Sequence, residues 1–128
     1  MVKLAPYLVI TALLGGCSDG CQNTVLASFA SPNGRASAVL FQRDCGATTG
    51  FSTQISVVRG DAQPSGAGNA FVADDNHGAA EATNGGLWAE ARWIDGSHLL
   101  VRYDAQSRIF KQEREIAGVQ ITYEAVNR

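Results

Sequence analysis

Apolar and polar residues alternate along most of the chain, a period of two that is typical of β-strands with one buried face. The alternation is strict in 119–125 and clear in 51–59. The middle of 36–43 is apolar on both faces, which predicts a central strand. We predict about eight short strands: 24–30, 36–43, 51–59, 69–73, 87–94, 98–103, 109–115 and 119–125.

Turn residues separate these segments and indicate how they connect. The sequences Ser-Pro-Asn-Gly at 31–34 and Asp-Gly at 95–96 are typical of tight turns, and 74–86 is the longest predicted loop. The second and third strands are expected to form a long hairpin with Cys45 near its tip. Many short strands without a long helical pattern predict an all-β fold, either a single antiparallel β-sandwich or a small β-barrel.

A short apolar segment near the N-terminus follows one positive charge. The run 4–14 comes after Lys3 and leads into Leu-Gly-Gly-Cys at 14–17, the layout of a secretory signal peptide. The run is about half of the ~20 residues that a membrane-spanning helix needs. The tetrad resembles the bacterial lipobox, and this resemblance implies cleavage before Cys17 and acylation of that cysteine. An ordinary cleaved signal peptide is the alternative.

This interpretation divides the chain into a signal-peptide helix at 1–16, a lipidated linker at 17–23 and one antiparallel β domain at 24–128. Removing 16 of the 128 residues leaves 112, enough for a single domain. Without Lys3, nine basic and twelve acidic side chains give a net charge of −3. That balance gives no electrostatic reason to bind nucleic acid. The acyl chains would supply the attachment to a membrane.

The chain has three cysteines, an odd number that needs an explanation in a secreted protein. With Cys17 acylated, Cys21 and Cys45 remain, and the oxidising bacterial periplasm favours a disulfide between them. Two free thiols in a reducing compartment are the alternative. In Gram-negative lipoproteins the residue after the lipidated cysteine influences sorting, and Ser18 is compatible with export. We therefore expect the protein on the periplasmic side of the envelope, with the outer membrane favoured.

The segment 45–56 (C-G-A-T-T-G-F-S-T-Q-I-S) is the most distinctive internal stretch. Together with the turn at 31–34 and the spacing of Trp93, Leu99 and Tyr103, it resembles a group of uncharacterised short bacterial lipoproteins. This resemblance implies no activity.

Four residues are candidates for binding a partner. The hydroxyls of Thr48, Thr49 and Ser52 could line a small polar concavity. We favour the alternative that small residues here let the disulfide pack against a tight turn, because hydroxyls without a base or metal nearby are rarely reactive. Trp88 is predicted on the face opposite Trp93, where an exposed aromatic ring would be a binding hot spot. Burial under the predicted loop 74–86 is the competing interpretation.

The sequence predicts no catalytic residue, metal or cofactor. The run D-D-N-H at 74–77, with Glu81 nearby, offers oxygen ligands, but its spacing matches no calcium loop, so a solvated loop is favoured. His77 and His98 are the only two histidines, and the chain has no G-x-S-x-G nucleophile motif. We therefore predict a non-enzymatic, lipid-anchored module that binds an envelope protein or glycan. The alternatives are an inhibitor or immunity-type lipoprotein, whose characteristic inhibitory loop is not found here, and a hydrolase.

Overall fold

The computed structural model describes residues 20–46, 51–80, 82–83 and 86–128. Every regular element in these ranges is a β-strand, so the predicted all-β class is confirmed. The predicted signal-peptide helix at 1–16 lies outside the described residues. The strands are β1 (Gln22–Ala30), β2 (Ala36–Asp44), β3 (Ser52–Arg59), β4 (Phe71–Asp74), β5 (Ala82–Thr83), β6 (Gly86–Leu87), β7 (Ala89–Asp95), β8 (His98–Asp104), β9 (Arg108–Gln112), β10 (Glu115–Ile116) and β11 (Val119–Val126).

The strands form two main sheets. The first has five strands in the order β1-β2-β3-β4-β9, and the second has four in the order β10-β11-β8-β7. Strands β5 and β6 form a separate two-stranded hairpin. The described strands leave both main sheets open, so they do not form the closed barrel that was one of the two predicted architectures.

One pairing differs from the predicted antiparallel arrangement. Strands β8 and β11 run parallel, with Leu99 opposite Ile121. Parallel neighbours need a crossover connection, and β9 supplies it: the chain leaves β8, adds β9 to the first sheet beside β4, and returns through β10 to β11. The single strand predicted at 109–115 is therefore divided between the two sheets. The prediction was wrong because alternation indicates a strand but not the sheet that the strand joins.

Strand β2 is buried on both faces, as its continuous apolar middle predicts. Ala38 and Leu40 belong to the core cluster that includes residues of the second sheet. Val39 and Phe41, on the other face, are also buried. Strand β2 lies between β1 and β3, so its predicted central position is confirmed.

The loop between β3 and β4 covers the outer face of the first sheet. The side chain of Asn69 accepts a hydrogen bond from the N–H of Val57 at 2.8 Å and donates one to its carbonyl oxygen at 2.8 Å. Further along the same loop, the carbonyl oxygen of Gly66 accepts a hydrogen bond from Nδ2 of Asn23 on β1 at 2.8 Å. Because these anchors lie on the strands flanking β2, the loop spans the outer face of β2.

Buried apolar residues of both sheets form one core, and their removal from water is the main favourable contribution to folding. Alternate residues around β7 face this core, as predicted, and Trp93 packs against it. The buried members are Ala38, Leu40, Ile55, Val57, Ala70, Phe71, Ala73, Ala80, Leu87, Ala89, Ala91, Leu99, Val101, Val119 and Ile121.

Two hairpin turns lie together at one end of the molecule, here called the turn end. Gly34, in the β1–β2 turn, has a φ of +70°, a conformation that favours glycine. The side-chain amide of Asn33 lies directly against Gly96 in the β7–β8 turn. Strand β1 has nine residues, and at ~3.3 Å per residue it extends about 30 Å from this end. The other end of β1, which carries Cys21, is called the tether end.

Candidate functional site

The disulfide lies at the tether end. The sulfur atoms of Cys21 and Cys45 are 2.00 Å apart, at bonding distance, as the sequence predicts. Gln22 follows Cys21 and pairs with Asp44, so the bond joins the ends of two neighbouring strands. The predicted lipidation site, Cys17, lies outside the described residues. It is four positions before Cys21 in the sequence.

Ser52 is the one predicted hydroxyl residue that the structure describes, because Thr48 and Thr49 lie outside the described ranges. Its hydroxyl accepts a hydrogen bond from Nε2 of Gln54 at 2.7 Å and donates one to the carbonyl oxygen of Arg43 at 3.5 Å. Both partners belong to the β2–β3 hairpin itself. These contacts support the interpretation of Ser52 as a packing residue.

Trp88 lies between β6 and β7 and is half-buried beside two guanidinium groups. Cζ of Arg128 is 4.3 Å from a Trp88 ring centroid, and Cζ of Arg102 is 5.8 Å away. Both distances are within the range of a cation–π interaction. Trp93 packs against the core, so the two tryptophans lie on different faces, as predicted. Trp88 is therefore neither freely exposed nor a core residue.

Arg102 links Trp88 to a row of charges across the second sheet. It lies on β8 between Glu90 of β7 and Glu124 of β11. Its Nη1 donates a hydrogen bond to Glu90 at 2.7 Å, and its Nε donates one to Glu124 at 3.3 Å. The hydrogen bond to Glu90 is the main reason that the pKa of Arg102 is raised above its ordinary value. We call Trp88, Glu90, Arg102, Glu124 and Arg128 the Trp88 surface.

The Trp88 surface combines an aromatic ring with charged groups that hold one another in place. Such a surface can stack against a planar or apolar group and offer oriented hydrogen bonds at the same time. These are features of a recognition surface.

The run 74–77 forms a turn closed by an ion pair. Asp74 accepts hydrogen bonds from Nη2 and Nε of Arg108 at 2.5 and 3.1 Å, and hydrogen bonding from this side chain is the main reason that the pKa of Asp74 is lowered. Nε2 of His77 accepts from Nη1 of the same guanidinium at 3.2 Å, because a guanidinium can only donate. Asn76 and His77 have φ values of 53° and 56°. Both carboxylate oxygens of Asp74, which a bound cation would need, are thus already paired with Arg108.

His98 lies within hydrogen-bond reach of a serine and a carboxylate at the turn end. Its Nδ1 is 2.7 Å from Asp95 Oδ1 and 3.3 Å from Ser97 Oγ. A catalytic triad places the carboxylate on one ring nitrogen and the nucleophile on the other, whereas here both partners share Nδ1. The His98 and Asp95 side chains are also 49% and 55% exposed. The cluster therefore has the features of a hydrogen-bonded surface turn.

Sequence reasoning missed the arginines that organise these sites. Arg102 had a detectable signal: it and Glu90 are equidistant from Gly96, so a hairpin with its turn there brings them opposite each other. The pairing of Arg108 with Asp74 depends on β9 joining the first sheet, and no local pattern indicates that step. The position of Arg128 likewise depends on the parallel pairing of β11.

Among the described residues, no group of three or more His, Cys, Asp or Glu side chains is placed to hold a metal ion. The same part of the chain has no helix with the length and apolarity needed to cross a bilayer.

No family, curated protein or solved structure matches the sequence or the fold.

Proposed function

We propose that this chain is a lipid-anchored protein of the bacterial cell envelope, attached to a membrane through acyl chains on Cys17. The observation that carries the proposal is the bond between Cys21 and Cys45. This bond accounts for two of the three cysteines and leaves the lipobox cysteine for acylation. A disulfide is also typical of an oxidising compartment such as the periplasm, to which the signal peptide at 1–16 would direct the chain.

The proposed location is the periplasmic side of the envelope, with the outer membrane favoured because Ser18 follows the lipidated cysteine. The mature side chains have a net charge of −3 once Lys3 is removed, and there is no basic block to attract anionic lipids. Acyl chains would therefore provide the attachment, and two or more of them hold a protein where one does not.

We infer that the anchored domain is a β-sandwich whose Trp88 surface binds an envelope protein or glycan. The shared core of the two sheets supports the sandwich. Tryptophan and arginine are among the residues most enriched at binding hot spots. The ion pairs with Glu90 and Glu124 would orient the Arg102 side chain beside Trp88. The shared Nδ1 contacts of His98 support a binding role over a hydrolytic one.

Acyl labelling tests the anchor. Cells expressing the wild-type chain or Cys17→Ala would be supplied with a labelled fatty acid and then fractionated. We expect label and membrane association in the wild type and neither in the variant. Label retained by Cys17→Ala would show that the cysteine at 17 is not the attachment site.

A pull-down with the wild-type protein and Trp88→Ala tests the binding surface. Thr122→Ala, an exposed position on β11 of the same sheet, is the matched control. We expect a specific envelope partner to be retained by the wild type and Thr122→Ala and lost by Trp88→Ala. Equal retention by all three would exclude the Trp88 surface. A lysozyme or toxin as the partner would instead indicate an inhibitor or immunity-type function.

A further inference from the structure

Three large apolar side chains of the first sheet are exposed to solvent, two on its edge strand β1 and one directly before the inner strand β3. Val25 and Leu26 on β1 are 44% and 37% exposed, and Phe51, directly before β3, is 60% exposed. Strand β1 is the outermost strand of the sheet, and its register shifts between Val25 and Ala27, at Leu26. We call Val25, Leu26 and Phe51 the tether edge.

The tether edge lies close to the proposed lipid anchor. Four positions separate Cys17 from Cys21, and a fully extended chain of that length reaches at most about 14 Å. Gln22 pairs with Asp44 and Arg43 pairs with Ser52, so Phe51 is two strand spacings, about 10 Å, from Gln22. An acylated Cys17 would therefore hold the Phe51 ring within reach of the bilayer surface.

We infer that the tether edge contacts the bilayer, with the Phe51 ring inserted at the boundary between headgroups and acyl chains. The inference rests on the proposed anchor at Cys17. Apolar side chains favour this boundary, where anchored and amphipathic segments bury about 5–10 Å deep. Because the mature net charge is −3, the attraction is apolar rather than electrostatic. The contact would therefore persist when anionic lipid is added.

Two other exposed apolar residues provide a comparison within the same molecule. Phe110 is 59% exposed, nearly the same as Phe51, but lies on β9 at the opposite edge of the first sheet. Ile94 is also 59% exposed and lies next to the β7–β8 turn, at the turn end. Phe110 is four strand spacings, about 19 Å, from β1, and Ile94 is at the other end of the molecule. Both are therefore farther from Cys21 than Phe51 is, so exposure alone does not place a residue in the proposed contact.

Quenching by brominated lipid measures the depth of a tryptophan in a bilayer and tests this contact. The lipidated wild-type chain, Phe51→Trp and Phe110→Trp would each be reconstituted in vesicles of brominated phosphatidylcholine, with and without added phosphatidylglycerol. Trp88 and Trp93 give the same background in all three proteins. We expect the lipid to remove roughly half or more of the emission that Phe51→Trp adds, as interfacial depth implies, and to leave the emission added by Phe110→Trp unchanged. The result should be the same in both lipid mixtures.

Equal quenching of the two variants would overturn the membrane contact, and so would quenching of Phe51→Trp that requires phosphatidylglycerol. Thermal unfolding of each variant checks that it is folded, and Leu26→Trp takes the place of Phe51→Trp if that substitution prevents folding. Acyl labelling of the same preparations separates the two claims. Labelled protein with unquenched Phe51→Trp rejects only this contact, whereas unlabelled protein rejects the anchor and the contact together.

Discussion

The indole nitrogen of Trp93 donates a hydrogen bond to the carbonyl oxygen of Phe29 at 2.7 Å. Trp93 is on β7 of the second sheet and Phe29 is on β1 of the first, 64 positions away in the chain. The contact is therefore a polar link between the two layers, in addition to the apolar core that they share. It fixes the relative position of β1 and β7 more specifically than apolar packing does.

Replacing Trp93 with phenylalanine removes the donor and leaves the Phe29 carbonyl without this partner. We expect Trp93→Phe to lower the free energy of unfolding by about 1–2 kcal/mol, measured by urea denaturation. Trp88→Phe is the control, because the Trp88 indole makes no hydrogen bond within the described part of the chain. It should change the free energy by less than about 0.5 kcal/mol. Equal losses in the two variants would contradict the proposed link.

The disulfide is expected to make a large contribution to stability. Cys21 and Cys45 are 24 positions apart, and closing a loop of that length stabilises the folded state by about 3.5 kcal/mol in the chain-entropy model. Adding a reductant should lower the free energy of unfolding of the wild type by that amount. The double variant Cys21→Ser, Cys45→Ser should be less stable from the start and should not respond to reductant. A wild type that is equally insensitive would mean that the bond is absent in solution.

Gly68 lies in the loop over the outer face of the first sheet. Because it has no side chain, the loop backbone can lie close to the backbone of β3 and β4. A Cβ at this position would lie 2.9 Å from the carbonyl oxygens of Ile55 and Phe71. Because both are backbone atoms, the strands would have to shift, and we expect Gly68→Ala to cost about 2 kcal/mol in thermal or urea unfolding. Ala67→Ser, at the exposed neighbouring position, should cost less than about 0.5 kcal/mol. A neutral Gly68→Ala would show that the loop is not held this tightly.

The ion pair of Asp74 with Arg108 predicts a pH dependence. Because the pKa of Asp74 is lowered in the folded state from an ordinary value of 3.8, the unfolded chain takes up its proton first as the pH falls. The stabilisation is thus present above about pH 4 and is lost below it. We expect the wild type to melt at a higher temperature than Asp74→Asn at neutral pH, and this difference to shrink as the pH falls below about 4. A difference in melting temperature that does not change with pH would exclude the ion pair as its cause. Asp61→Asn is the control for the loss of one exposed carboxylate.

Local patterns predicted most of the longer strands, because alternate residues of strands such as β7 and β8 face the core. The burial of β2 on both faces followed from its apolar middle, and the β7–β8 hairpin followed from alternation around Asp95 and Gly96. Strand β1 begins at Gln22, inside the segment predicted as a linker. Polar residues can form a strand there because pairing with β2 satisfies their backbone groups, and composition alone does not show this.

Contacts between distant segments could not be predicted from the sequence. The parallel pairing of β8 with β11 depends on where β9 goes, and β9 pairs with β4 far back in the chain. The Trp88 surface was predicted only in part. Alternation placed Trp88 away from the core, and the β7–β8 hairpin brings Arg102 opposite Glu90. The position of Arg128 depends on the parallel pairing of β11. Side chains that join separate strands depend on topology, which a period of two does not determine.

Mass spectrometry of the mature N-terminus tests the anchor most directly. The full-length chain would be expressed in a Gram-negative host, purified from membranes and digested, and its N-terminal peptide identified. The account predicts a peptide that begins at Cys17 and carries the mass of acyl chains on that residue. A mature peptide that begins elsewhere, or an unmodified Cys17, would contradict the lipid anchor and the envelope function built on it.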